Sequence, residues 1–342
     1  MSFIPVLFAV GCTSINNTSQ TEYDAVIDKQ TVACEFSAKD SLWVNQAVEA
    51  WHFTNQDITQ VSEIGAFDVI FFDSKCQKTS NNALTKRGSD TWVSELHEDT
   101  VQFPNGDEMP PMVNSFTSSS NAEGGHTFFV MSVPSIWRDG GVSSNIGLEK
   151  FMMPVMLHEA MHAIQSPTYG KQIEALTVKH SLPDTFNDDS VQKIFKDNTE
   201  FSNSVLAEVD LLIQAALAPT DVEARQLAKK ARDMIATRYD TWMVGDAEKY
   251  REIDDVWLTM EGSGQWVGYS WLYAENGGGL TQEEAIKAFG LRGKWWSQKL
   301  GFALFMVVDR LSDNWKKDAF GYVKDNGNRS ILTLLDDALA NT

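Results

Sequence analysis

Basic residues are scarce. The chain carries 28 Lys and Arg against 47 Asp and Glu, a formal net charge of −19. That balance works against nucleic acid, whose phosphates repel an acidic surface. It also works against charge-driven adhesion to anionic lipid. Acidity alone names no substrate and accounts for solubility. Cysteine is sparse as well, with three residues in 342. Cys34 and Cys76 have no CxxC spacing and no nearby His, which argues against a cysteine-ligated zinc site. There is no phosphate-cradling Gly-rich loop followed by Lys, and no Gly-x-Ser-x-Gly elbow. Internal repeats and long low-complexity tracts are missing. Beyond the first dozen residues no apolar run approaches the length of a membrane helix. What is left is a globular chain long enough for one large domain or two lobes.

Histidine is also infrequent, at six residues, yet two of them fall in His158-Glu159-Ala160-Met161-His162. This His-Glu-x-x-His lies inside an apolar-periodic stretch from Gly147 to Gln165. Histidines four apart stack on one helix face, so their rings can meet on one metal ion. Glu159 is rotated off the ligand pair and can act on a metal-activated water as general base. The alternative is a helix with two ordinary histidines. Phe151, Met152, Val155, Met156, Met161 and Ile164 bury this helix, and buried polar groups need partners. A metal satisfies them together.

Periodicity sets the surroundings. A helix is predicted over 40–56, opened by Asp40-Ser41. A strand is predicted over 66–72, a loop over 81–90, and one or two short strands over 91–103. Residues 104–125, rich in Pro, Ser, Asn and Gly, read as a long surface segment. Thr127 to Val133 reads as a strand closed by Pro134. Later segments have the helical period: 201–217, 221–239, 249–273, 281–289, 295–311 and 330–339. The expected fold class is α+β. An N-terminal mixed lobe over 31–166 ends in the His-Glu-x-x-His helix, and an all-α lobe follows over 167–342. The cleft between them is the expected place for the metal.

A catalytic zinc site usually takes three protein ligands and a water. The metzincin continuation fails, because Gln165 and Thr168 stand where Gly and His are required. His52, His97, His126 and His180 show no ligand spacing. A later Glu is the remaining option, from Glu174, Glu200, Glu208, Glu223, Glu248, Glu252 and Glu261. Glu223, Glu248 and Glu252 sit among charges, and Glu174 follows His162 too closely. Glu208 has an apolar context. Glu261 is the best candidate, a lone acid among aromatics and small residues that is costly to bury unpaired. Small residues at 262 to 264 let its helix approach the His helix closely.

Glu261-Gly262-Ser263-Gly264-Gln265-Trp266 resembles the Glu-Gly-x-Ala-x-Tyr/Trp motif of the gluzincins, zinc peptidases with His-Glu-x-x-His and a third Glu ligand. The order of elements from about residue 30 to 290 is similar too. The resemblance implies a zincin-like fold, one Zn2+ per chain, and ligands His158, His162 and Glu261. It implies peptide-bond hydrolysis with Glu159 as base, on a peptide or protein substrate. It also implies that the strand at 127–133 is an edge strand that binds extended substrate. Two positions depart from the family pattern. Glu261 stands far downstream of His162, so the intervening helices are an insertion. Gln265 replaces an Asp that orients a ligating His, and its amide oxygen can accept an imidazole N–H. A second electrophile is usual in such sites, with Tyr269 the first candidate and Tyr273 and His180 behind it.

Ser2 to Cys12 is mostly apolar and ends in Leu7-Phe8-Ala9-Val10-Gly11-Cys12, which resembles a bacterial lipobox. The basic n-region is missing, and Ala9 takes the place of the commoner Leu. The resemblance implies a signal peptide over 1–12, lipidation of Cys12, a polar tether over 13–30, and an envelope location outside the cytoplasm. Contact with the membrane is then expected only through the lipid anchor. In that oxidising compartment Cys34 and Cys76 are expected to pair. Two other readings stay open: a non-catalytic zinc-stabilised lipoprotein that binds peptides or partners, and a zinc amidase on a non-peptide substrate.

Overall fold

In the computed structural model, the described residues are 34–61, 64–88, 91–119, 126–183, 185–320 and 329–340. Cys12 and the segments 1–12 and 13–30 lie outside them. The fold is mixed α+β and divides into two units, 1–49 with 65–152, and 50–64 with 153–342.

The first unit is built on a sheet whose strand order is β3-β2-β1-β7-β6. The strands are β1 (Asp68–Phe72), β2 (Cys76–Ser80), β3 (Val93–Leu96), β6 (Ser115–Ser119) and β7 (Thr127–Ser132). β1 and β7 run parallel, with Ile70 opposite Val130, and the other pairings are antiparallel. A short hairpin, β4 (Val101–Gln102) with β5 (Glu108–Met109), stands apart from this sheet. Alternate side chains of a strand face opposite ways. Ile70, Phe72, Phe128 and Val130 pack with Val101 and Phe103. On the other side Phe71 meets Phe129 and Trp43 edge-on. Trp43 belongs to helix α1 (Ala38–Phe53). Both faces of the central strands are therefore covered, which explains why β1 reads as a near-continuous apolar run.

One expectation is corrected here. The strand at 127–133 is not an edge strand, because β7 lies between β1 and β6, with β6 paired to it from Ser115 opposite Met131 to Ser119 opposite Thr127. Every β7 residue is buried. The edge belongs to β6, inside the stretch 104–125 expected to be a long surface segment. Its Ser115 and Thr117 are buried while Phe116 and Ser118 are half-buried, so the alternation is present but carried by hydroxyl side chains. Cys34 and Cys76 form a disulfide with Cα atoms 5.8 Å apart, which ties the chain ahead of α1 to β2. Helix α2 (Pro134–Asp139) follows β7, and Ser135 N–H donates to the buried Asp40 carboxylate at 3.0 Å.

The second unit is helical. The division between units falls inside α3 (Leu148–Gln165), so the His-bearing part of that helix belongs here. Next come α4 (Lys171–His180), α5 (Ser190–Phe195), α6 (Thr199–Leu217) and α7 (Asp221–Trp242). They are followed by α8 (Lys249–Tyr273), α9 (Gln282–Ala285), α10 (Trp296–Leu311), α11 (Trp315–Phe320) and α12 (Ile331–Ala340). Side chains start several of these helices: Asn198 accepts from Phe201 N–H, and Thr281 with Glu284 forms a capping box. α8 is the central element, buried almost without a break from Ile253 to Leu272. It crosses α10 at two glycines. A Cβ on Gly262 would stand 2.3 Å from the Gly301 carbonyl carbon, so only glycine permits this crossing.

A buried ionic network joins three helices. Arg238 on α7 donates through Nε to both carboxylate oxygens of Glu208 on α6, at 2.9 and 3.0 Å. It also lies 3.5 Å from Asp254 on α8. Tyr239 completes the set by donating to Asp254 at 2.8 Å. Glu208, the second-ranked ligand candidate, is thus committed to Arg238 and to Ser204. Among the described residues no helix is long and apolar enough to cross a membrane.

Candidate metal centre

The α3 spacing does what a helix of 3.6 residues per turn requires. His158 and His162 stack edge to face with ring centroids 4.6 Å apart, and their Nε2 atoms are 2.9 Å apart. α8 brings Glu261 to the same point. Glu261 Oε1 is 3.2 Å from His162 Nε2, and Oε2 is 3.4 Å from His158 Nε2. All three side chains are buried, and all three lie in the second unit. Among the described residues these three form a group able to hold a metal ion.

Donor spacing tests that fit. Ligands about 2.0–2.1 Å from a tetrahedral ion lie roughly 3.3 Å from one another. The imidazole Nε2 atoms are 2.9 Å apart, and each lies 3.2 to 3.4 Å from a Glu261 oxygen, Oε1 for His162 and Oε2 for His158, so the three side chains converge within reach of one ion. Orphaned atoms give a second test. Glu261 Oε1 is fully buried with no hydrogen-bond partner, which costs free energy unless a cation faces it.

Each small residue after Glu261 has its own task. Gly262 admits α10. Ser263 accepts a hydrogen bond from Gln165 Nε2 at 2.6 Å. Gly264 lies against the His158 ring, where a Cβ would come within 2.7 Å of Nδ1. The expected close approach to the His helix is thus made by residues 263 and 264.

Gln298 on α10 donates through Nε2 to Glu261 Oε2 at 3.1 Å. This satisfies one carboxylate oxygen and leaves Oε1 for an ion. Gln165 Oε1 lies 3.3 Å from His162 Nδ1. The role expected of Gln265 is therefore taken by Gln165, which is one turn after His162 on the same helix face. Gln265 is buried, and its Oε1 has no hydrogen-bond partner. Sequence reasoning missed Gln298 and Gln165 as site residues. A lone amide in an apolar helix and an i+3 amide beside a ligating His were the signals that could have found them.

Electrostatics follow the geometry. Burial alone would lower the His162 pKa, but the facing Glu261 carboxylate, helped by Glu159 and Gln165, raises it to about 9. Burial pushes the Glu261 carboxyl up, yet His162 and His158 outweigh it and hold it well below the usual carboxylate range. Glu159, buried on α3, is close enough to act on His162. Asp188, just ahead of α5, was not expected at all. Burial and the negative charges of Glu261 and Asp189 push its carboxyl well up.

The remaining candidates lie elsewhere. Tyr269 is two turns beyond Glu261, about 12 Å along the helix axis. Its hydroxyl accepts from Gln282 Nε2 at 3.1 Å, and its ring packs on Tyr273 and Phe302. This places it in an aromatic cluster two turns away from Glu261. Tyr273 is half exposed in the same stack. His180, on α4, pairs with Glu252 at 3.6 Å.

No protein-family model, curated protein or solved structure matches this chain.

Proposed function

We propose that this chain is a zinc-dependent peptidase of gluzincin type, with His158, His162 and Glu261 holding one zinc ion. A buried, convergent donor set of two imidazole nitrogens and one carboxylate favours zinc over harder ions, which prefer all-oxygen shells. One observation carries the catalytic reading: Glu159 is buried on α3 in the same turn as the two histidines. A purely structural site needs no such base. When bound, the ion would supply a Lewis acid that polarises a carbonyl and acidifies water.

The chain's own residues then divide the work. The two imidazoles offer Nε2 and stay neutral toward the ion. Glu261 is held by Gln298 so that Oε1 faces inward. Glu159 takes the proton of the attacking water as the new C–O bond forms. It returns that proton to the amide nitrogen as the C–N bond breaks, so no external acid or base is consumed. Lipidation at Cys12 and an envelope location belong to the same reading.

The deciding experiment is Glu159→Gln. The variant is expected to bind zinc stoichiometrically by metal analysis and to lose ~10²-fold or more in peptide hydrolysis. Cleavage profiling on a peptide library reads out the loss. Wild-type protein without stoichiometric zinc overturns the reading. Zinc with hydrolysis of a non-peptide amide only would move the substrate class.

A further inference from the structure

The hydrogen-bond directions around His162 can be followed atom by atom. Ser263 Oγ has one hydrogen, and it is donated to the Met260 carbonyl at 2.8 Å. Toward Gln165 the same oxygen can only accept, so Gln165 must present its NH2 group, at 2.6 Å. The planar amide then turns Oε1 toward His162 Nδ1, at 3.3 Å. An amide oxygen only accepts, so Nδ1 must carry a hydrogen. A neutral imidazole protonated at Nδ1 has its lone pair on Nε2. That is the atom facing Glu261 and His158 Nε2.

The neighbouring histidine is held differently. His158 Nδ1 is buried with no hydrogen-bond partner, and the α8 backbone at Gly264 lies on its ring. One ligand is set by packing and the other by a directed hydrogen-bond chain. Both devices come from adjacent residues of α8, immediately after Glu261.

We propose that Gln165 and Ser263 are positioning residues that lock His162 in the tautomer that ligates through Nε2, and that Ser263 does so by fixing which way the Gln165 amide faces. This inference rests on the metal reading above. Neither residue touches the ion or the reacting atoms; both act through His162. Outer hydrogen bonds of this kind typically change metal affinity by 10–100-fold.

The test is competition between the purified protein and a chromophoric chelator for Zn2+. It is run on wild type, Gln165→Leu, Gln165→Glu and Ser263→Ala. The zinc-loaded proteins are also examined by 1H–15N NMR for the His162 Nδ1–H signal. Gln165→Leu is expected to weaken zinc binding by roughly 10–100-fold and to lose the protected Nδ1–H signal. Gln165→Glu keeps an acceptor and is expected to restore both. Ser263→Ala frees the amide to turn, so its affinity should fall between the two and its signal should broaden. Four results overturn the proposal: wild-type affinity in Gln165→Leu, a protected Nδ1–H without Gln165, failure of Gln165→Glu to rescue, or wild-type behaviour of Ser263→Ala. A blank wild-type titration is a different failure. It removes the metal reading itself and the tautomer lock with it.

Discussion

Gly264 shows how much one missing side chain decides. Its α-carbon hydrogens let the α8 backbone rest on the His158 imidazole, and an added Cβ would reach 2.7 Å from Nδ1 and 2.8 Å from Cγ. Neither neighbour can yield easily. The ring is buried and its Nε2 is committed to the ligand cluster, while the backbone belongs to the interior of a 25-residue helix. Gly264→Ala must therefore push the ring off the position where three donors converge. Overpacking of this kind costs on the order of 1–3 kcal/mol. If the three side chains hold zinc as proposed, a displaced His158 costs affinity as well, and zinc binding is expected to fall at least ~10-fold. Helix content by circular dichroism should be retained, since alanine is the better helix former. Zinc titration beside the dichroism spectrum separates loss of the site from loss of the fold.

α8 was the most legible element in the sequence, and its reach explains what was not. The Glu261 context, a lone acid among aromatics and small residues, pointed to burial with a partner, and the partner is the His pair. Side chains that act along one helix face leave such a pattern. Gln298 comes from a separate helix, and its register on Glu261 follows from the Gly262–Gly301 crossing, which no local period encodes. β6 went unseen because its buried positions are Ser and Thr, so the period-2 signal carried no hydrophobic contrast. α8 also makes a pH-dependent contact. Asp255 Oδ1 accepts from Leu332 N–H, and Thr259 Oγ1 accepts from Ile331 N–H, so α8 caps the start of α12. Burial nonetheless raises the Asp255 pKa from 3.8 to about 6. A raised folded-state value means its contribution is full below pH 3.8 and lost as pH rises through about 6. Asp255→Asn keeps an acceptor for Leu332 and does not titrate. Between pH 4 and 7 the stability difference should move in favour of the variant by on the order of 2–3 kcal/mol. Urea melts at both pH values measure it. A shift toward wild type would mean that the capping charge outweighs its burial.

At the scale of the whole chain, the two units use different long-range ties. In the helical unit the ties are the buried His158–His162–Glu261 cluster and the buried Glu208–Arg238–Asp254 network. In the sheet unit the tie is covalent, since Cys34 and Cys76 are 42 residues apart and bridged. Cys76 starts β2, which pairs directly with β1, so the bridge fastens the approach to α1 onto the sheet beside its central strands. Cross-linking a loop of this size restricts the unfolded chain by about 4 kcal/mol in the loop-entropy view. Both cysteines are buried, so a double Cys34→Ser, Cys76→Ser variant loses the cross-link and also places two hydroxyls in apolar surroundings. Cys34→Ala with Cys76→Ala removes the second effect and isolates the first. In the alanine pair, amide protons of β1 and β2 that exchange through unfolding of this unit should exchange roughly a thousandfold faster, as a loss of about 4 kcal/mol dictates. Reducing the wild type with dithiothreitol should produce the same change, because the covalent tie is the only difference between the two states of the chain. A wild type whose exchange is indifferent to reductant would show that the paired sheet holds this unit without the bridge.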